Sequence, residues 1–143
     1  MKKPTKEDAE ILLRMFQTQS SPQNFEAGTW FFKEFSAKDY EEFKSKYPVG
    51  SDGFSNVGTV LSSFETAGAL VSHGLLNENL YFDVSGIEFA WQKIGHIMSD
   101  WQKDTDPALW ENAVWLAERQ KEWKKKVWKP GLKWKLAARS SSK

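Results

Sequence analysis

FSNVGTVLSSFETAGALVSHG, residues 54–74, is long, periodic and carries one formal charge, at Glu65. Val57, Leu61, Phe64, Gly68 and Val71 recur at the three- and four-residue intervals of one helix face, and Val60, Ala67 and Leu70 widen that stripe. A helix apolar on most sides belongs at the centre of a bundle. Gly58 and Gly68 offer places where a neighbouring helix can approach closely, and Gly74, just after His73, suits a left-handed cap.

Upstream of this segment, helix starts recur. Thr5 to Asp8 reads as a capping box, in which a hydroxyl and a carboxylate satisfy each other's orphan amides, followed by Ile11, Leu12, Met15 and Phe16 at helical spacing. Ser21-Pro22 places proline at a first helical position, ahead of an aromatic face of Phe25, Trp30, Phe31, Phe32 and Phe35. Ser36 to Asp39 repeats the capping-box pattern before Tyr40, Phe43 and Tyr47, and Pro48, Gly50 and Gly53 break the chain in a loop. Downstream, Asn77 caps a short helix, and a longer one runs from about Ile87 to Lys103. Asp104 to Pro107 is read as the cap of a last helix whose stripe is Leu109, Ala113, Leu116, Gln120, Trp123 and Val127, stopped by Pro130 and Gly131. The expectation is an all-α fold: a single-domain bundle of five or six helices over residues 1–128, with a basic, tryptophan-containing tail over 129–143.

The 143 residues suit one compact domain. Eight tryptophans among 15% aromatic residues assign large rings to much of the core. With no cysteine, disulfide frameworks, thiolate catalysis and cysteine-ligated zinc are excluded, and two histidines leave little for another transition metal. The opening MKKPTKEDAE turns acidic where a secretory leader would be apolar. No stretch approaches the roughly eighteen apolar residues of a membrane-spanning helix. A soluble, cytoplasmic protein in a bacterial style is expected, with no cofactor.

At VLSSFETAGALVSHGLLNENLYFD, followed by FAWQKIGHIM, the chain resembles a group of bacterial helical domains collected as a domain of unknown function. The likeness rests on Phe64, Glu65, Gly68, Leu70, Val71, Gly74, Leu75 and Trp91. It implies an all-helical fold and no established activity. Many members of that group look membrane-anchored through an N-terminal helix, which this chain does not show.

Net charge is divided unevenly. From Arg119 onward there are ten bases and one acid, whereas residues 1–118 hold ten bases and eighteen acids. Lysines in the last turns of a helix are favoured by its dipole, at ~0.3 to 1 kcal/mol each, which accounts for Lys124, Lys125 and Lys126 without a partner. Trp128, Lys129, Lys133, Trp134 and Lys135 need another explanation. Four destinations are open: the acidic body of the same chain, an acidic protein or a second copy, nucleic acid with rings stacked on bases, and an anionic membrane surface. Together with Lys124 to Lys126 these residues form the candidate partner-binding surface of a non-enzymatic interaction module, possible as a homo-oligomer.

The rival reading is a small hydrolase or lyase. Glu65 is a carboxylate on a nearly uncharged helix, costly to bury unless paired, and His96 shares a helix face with Asp100, an arrangement that can orient an imidazole for proton transfer. Glu65 and His96 are therefore the candidate pocket. The plainer alternatives are that Glu65 lies in water at the helix edge or makes a structural pair, and that His96 belongs to a surface pair.

Overall fold

The structure, a computed structural model, describes residues 2–127. The described residues form seven helices and no strand: α1 (Lys6–Gln19), α2 (Pro22–Lys33), α3 (Tyr40–Lys46), α4 (Asp52–Ser72), α5 (Glu78–Val84), α6 (Glu88–Asp104) and α7 (Glu111–Lys126). The all-helical expectation holds. The count exceeds the expected five or six because α3 and α5, of seven residues each, are separate short helices with caps of their own.

Local chemistry explains most of the starts. Thr5 Oγ1 accepts from the Asp8 amide at 3.2 Å while Asp8 accepts from the Thr5 amide at 2.7 Å, a complete capping box. Ser21 caps α2 with Pro22 at the first helical position, and Ser51 and Asn77 cap α4 and α5. Two starts differ from expectation. α3 is capped by Asp39 rather than Ser36, because the Asp39 carboxylate reaches the Glu42 amide at 2.8 Å and Glu42 reaches back to Lys38. α7 begins at Glu111, several residues after Asp104 to Pro107. There Asp106 accepts from the Ala108 amide in a local turn instead.

α4 is the axis of the bundle, packing most extensively on α7 and then on α2. Its first half, through Val57, Val60 and Leu61, enters a cluster with Phe31, Phe35, Phe43, Ile94, Ile97 and Trp101. Its second half, through Ala67 and Val71, enters another with Leu12, Leu76, Phe82, Ile87, Leu116 and Trp123. Phe64, Trp91 and Trp110 border both and join them into one interior. Rings carry the first cluster: Phe31 and Phe35 stack at 5.0 Å and Phe43 meets Trp101 at 4.8 Å. The aromatic face expected on α2 is split, since Phe31 is buried and Trp30 partly so while Phe25 and Phe32 face solvent. The chain there has aromatics on every side of the helix, so periodicity alone does not select the buried ones.

Gly68 sets the closest approach of α4 to α7. A Cβ there would sit 2.2 Å from the Asn112 carbonyl oxygen, so any larger residue forces the two backbones apart. The close approach expected at Gly58 is absent, for nothing lies within 4 Å of its would-be Cβ.

Asp8 ties the N-terminus to the turn between α4 and α5. Besides its capping-box bonds, it accepts from the Asn77 amide at 2.9 Å, and Asn77 Nδ2 donates to the Lys2 carbonyl. Burial pushes the Asp8 carboxyl up, but the Thr5 and Asn77 hydrogen bonds, with the charge of Lys2, outweigh it and leave the pKa below the ordinary 3.8. A lowered folded-state pKa adds stability that is present above the ordinary value and lost as pH falls through the lowered one. Asp8→Asn should therefore flatten the loss of urea stability between about pH 5 and about pH 3. Parallel pH profiles for the variant and the parent would contradict this role.

Candidate functional site

Glu65, the residue with most catalytic promise in the sequence, is a helix cap supplied from a neighbouring helix. The residue at the N-cap of α7 is Trp110, held at φ 53° in the left-handed region and lacking any side-chain acceptor. Its indole Nε1 is buried with no hydrogen-bond partner among the described residues. The first amides of α7 would be orphaned if Glu65 did not reach across from α4. Oε1 accepts from the Asn112 amide at 3.2 Å and from Asn112 Nδ2 at 3.0 Å, and Oε2 accepts from the Ala113 amide at 2.9 Å. These amides, at the second and third helical positions, are the ones an N-cap side chain ordinarily serves. A negative charge there is further stabilised by the helix dipole.

α7 in turn caps α6. Ile87, at the N-cap of α6, also lacks an acceptor, and the buried Gln120 supplies one: its Oε1 accepts from the Ile87 amide at 2.8 Å and the Glu88 amide at 3.0 Å. Gly86 permits this, since a Cβ there would lie 2.3 Å from Gln120 Nε2. Sequence reading placed Gln120 on the core stripe of α7 but not in this role. The available signal was a lone amide in an apolar stripe, paired with a helix start that has no Ser, Thr, Asp or Asn.

His96 is exposed on α6, and its Nε2 lies 2.7 Å from the Ala37 carbonyl. A carbonyl only accepts, so Nε2 carries the proton and donates. Asp100, expected to orient the ring, instead lies 4.0 Å from Lys103. Glu65 and His96 share no hydrogen-bonding partner, and neither lines the grooves at the N-terminus, between α1 and α4, on α2, or between α6 and α7. Glu65 thus closes a helix end, and His96 closes a loop onto α6. Among the described residues no group of three His, Asp or Glu side chains is placed to hold a metal ion. No described helix is long and apolar enough to cross a membrane.

Of the expected partner-binding residues, Lys124, Lys125 and Lys126 lie in the last turns of α7, whereas Trp128, Lys129, Lys133, Trp134 and Lys135 lie outside the described residues. Arg119 pairs with Glu78 of α5 through two contacts, 2.6 Å from Nε and 2.7 Å from Nη2, a bidentate geometry. Hydrogen bonding to Glu78 raises its pKa further. Lys124 pairs with Glu88 of α6. Lys125 and Lys126 share the single carboxylate of Glu122, at 3.6 Å and 3.5 Å. Trp123 is buried and donates from Nε1 to Asn79 at 2.8 Å, as its place on the core stripe implies. α7 is therefore held along its length by α4, α5 and α6.

Between α6 and α7 lies a groove of about 290 Å³, walled by Glu88, Trp91 and Gln92 on one side and Ala117, Lys121 and Lys124 on the other. Of the polar groups around it, Glu88 meets Lys124, Lys121 meets Glu118, and Gln120 Oε1 serves two amides.

Glu65→Ala should orphan the first amides of α7 and lower stability by about 1–3 kcal/mol in urea unfolding, with Glu65→Gln losing less because one oxygen remains. A loss under about 0.5 kcal/mol for the alanine variant would contradict the capping role.

In comparison with known proteins, residues 4–120 match the family model described as Domain of unknown function (DUF4760). No curated protein and no solved structure matches the chain.

Proposed function

The chain belongs to this family of unknown function, and from that premise we propose that it acts as a helical interaction module. Its contact element is the basic, tryptophan-bearing segment that runs on from α7, and its partner is an acidic protein surface. The observation that carries this reading is the division of charge at the end of the family match. Residues 4–120 hold nine bases and eighteen acids, whereas residues 121–143 hold nine bases and one acid.

The placement of α7 supports the reading further. Arg119 and Lys124 are matched to Glu78 and Glu88 on other helices, so the last turns of α7 are tied to α5 and α6. Beyond it, residues 128–143 add Lys129, Lys133, Lys135, Arg139 and Lys143 with no acid at all, and place Trp128 and Trp134 among them. Lysines steer the encounter with an acidic surface. Tryptophans supply the apolar contact that retains the complex, being the residue type most enriched where binding energy concentrates.

The test is a fluorescence titration with a glutamate-rich peptide and, separately, a single-stranded oligonucleotide, each at low and high salt. The peptide should bind more tightly and keep part of its affinity at high salt through the rings. Lys129→Glu, Lys133→Glu and Lys135→Glu combined should weaken peptide binding at least about tenfold. Unchanged peptide binding by that variant would overturn the reading. So would a preference for the oligonucleotide, with a log-log salt slope of about −0.7 per phosphate contacted.

A further inference from the structure

We infer that the trench between α1 and α4 binds a free medium-chain carboxylate, its alkyl chain laid along Ile11, Met15 and Leu70 and its head group held by Arg14. The inference goes beyond the reading of the C-terminal segment and does not depend on it.

The trench exists because α1 packs most closely on α2 and α5 rather than on α4. Ile11, Arg14, Met15 and Thr18, at the three- and four-residue intervals of one face of α1, line it opposite Ser63, Thr66 and Leu70 of α4, with Gln19 at the end of α1. At about 290 Å³ it stands at the lower edge of the ~300–1,000 Å³ range of small-molecule sites. Ile11, Met15 and Leu70 pack from outside on the core cluster of Leu12, Val71 and Leu116, so the floor is apolar and backed by the interior.

Most of the polar atoms in the trench are spent on the protein itself. Each of its three hydroxyls donates to a carbonyl of its own helix: Thr18 to Arg14 at 3.1 Å, Ser63 to Val60 at 2.7 Å and Thr66 to Ser62 at 3.0 Å. They leave no donor for an occupant. Two side chains do: the Gln19 amide and the Arg14 guanidinium, neither of which has a hydrogen bond or ion pair among the described residues. Arg14 is also the one charged residue among the described residues that line the trench. An occupant that fits is therefore apolar along its length and carries one negative charge.

Length argues against a folded partner. Ile11 to Thr18 and Ser63 to Leu70 are walls of about 10 Å each. A stable protein interface takes ~1,200 Å² or more, which two turns of each helix do not provide. The chain of octanoate, fully extended, is about as long as the walls. The head group follows from the single cation. A guanidinium takes a carboxylate through two parallel N–H···O bonds, and one positive charge balances one negative. A phosphate monoester carries close to two negative charges at neutral pH, and the excess would lie beside Glu10, four residues before Arg14 on α1.

The test titrates the full-length, isotope-labelled chain with octanoate and, separately, with octanol, read at the backbone amide resonances. Those of Ile11, Met15, Ser63, Thr66 and Leu70 should shift in a saturable way with either compound, and those of Trp91 and Ala117 should stay in place. Arg14→Gln, at an exposed position, should weaken octanoate roughly fivefold, the upper end for an exposed ion pair, and leave octanol unchanged. Thr66→Phe, also at an exposed position, sets a ring in the trench and should abolish the shifts with both compounds. Urea midpoints near the parent's would show that the variants fold, and should Thr66→Phe fail in this, Arg14→Gln alone decides. No saturable shift at the trench amides, or shifts centred on the groove between α6 and α7, would overturn the site. Equal octanoate binding by the parent and Arg14→Gln would overturn the assignment of the head group, and the proposal with it. Shifts of the trench amides on concentrating the protein without either compound would assign the trench to a second copy, and would overturn it as well.

Discussion

The carboxylate of Glu65 on the first amides of α7 is the contact from which the rest of this bundle is arranged. α7 begins at a tryptophan that cannot accept a hydrogen bond and sits in a left-handed backbone conformation. Without an acceptor from elsewhere, its N-terminal amides would be left unpaired in a half-buried place, where each costs about 1–3 kcal/mol. Glu65 provides both oxygens, and one turn further along α4 Gly68 lets the Asn112 backbone come close enough for the bond to form. Position and direction of α7 follow from that pair.

The same device passes on to α6, whose start is another residue without an acceptor, Ile87. Gln120, seven residues beyond Ala113 on α7, serves it from within the core. Asp8 does comparable work at the opposite end, holding both the start of α1 and the amide of Asn77. Three polar side chains acting at helix ends thus tie α4 to α7, α7 to α6, and α1 to the start of α5, while the rings of Phe31, Phe35, Phe43 and Trp101 fill the space between. Apolar burial supplies most of the driving force in such a core but has little directional preference. The caps supply the direction.

Much of this architecture was legible in the sequence, and the reasons for the misses are physical. Threonine, serine and asparagine caps announce themselves because acceptor and amide are three residues apart, so α1, α2 and α5 begin near their sequence signals. The start of α7 does not, because its acceptor is 47 residues away in Glu65. Asp104 to Pro107 offered a local decoy that closes a turn instead. The oddity of Glu65 was visible as a charge on an uncharged helix, but charge pattern alone does not separate a catalytic carboxylate from a capping one. The amides of Asn112 and Ala113 do. On α2, aromatic residues at neighbouring positions left Phe25 and Phe32 indistinguishable from Phe31 until packing selected among them. The basic residues at the end of α7 were legible as charge, and their division into the cross-helix pairs of Arg119 and Lys124 and the shared carboxylate of Lys125 and Lys126 required the fold.

Native-state hydrogen exchange at the amides of Ile87, Glu88, Asn112 and Ala113 tests the capping scheme most directly. First-turn amides of a helix have no partner within it and ordinarily exchange quickly. If Glu65 and Gln120 hold them, all four should be protected and should exchange only with opening of the α4–α7–α6 unit, at rates matching the buried amides of Leu116 and Ile94. Exchange at the rate of unprotected amides, with Leu116 and Ile94 still slow, would mean that the caps do not hold in solution and that α7 is placed by apolar packing alone.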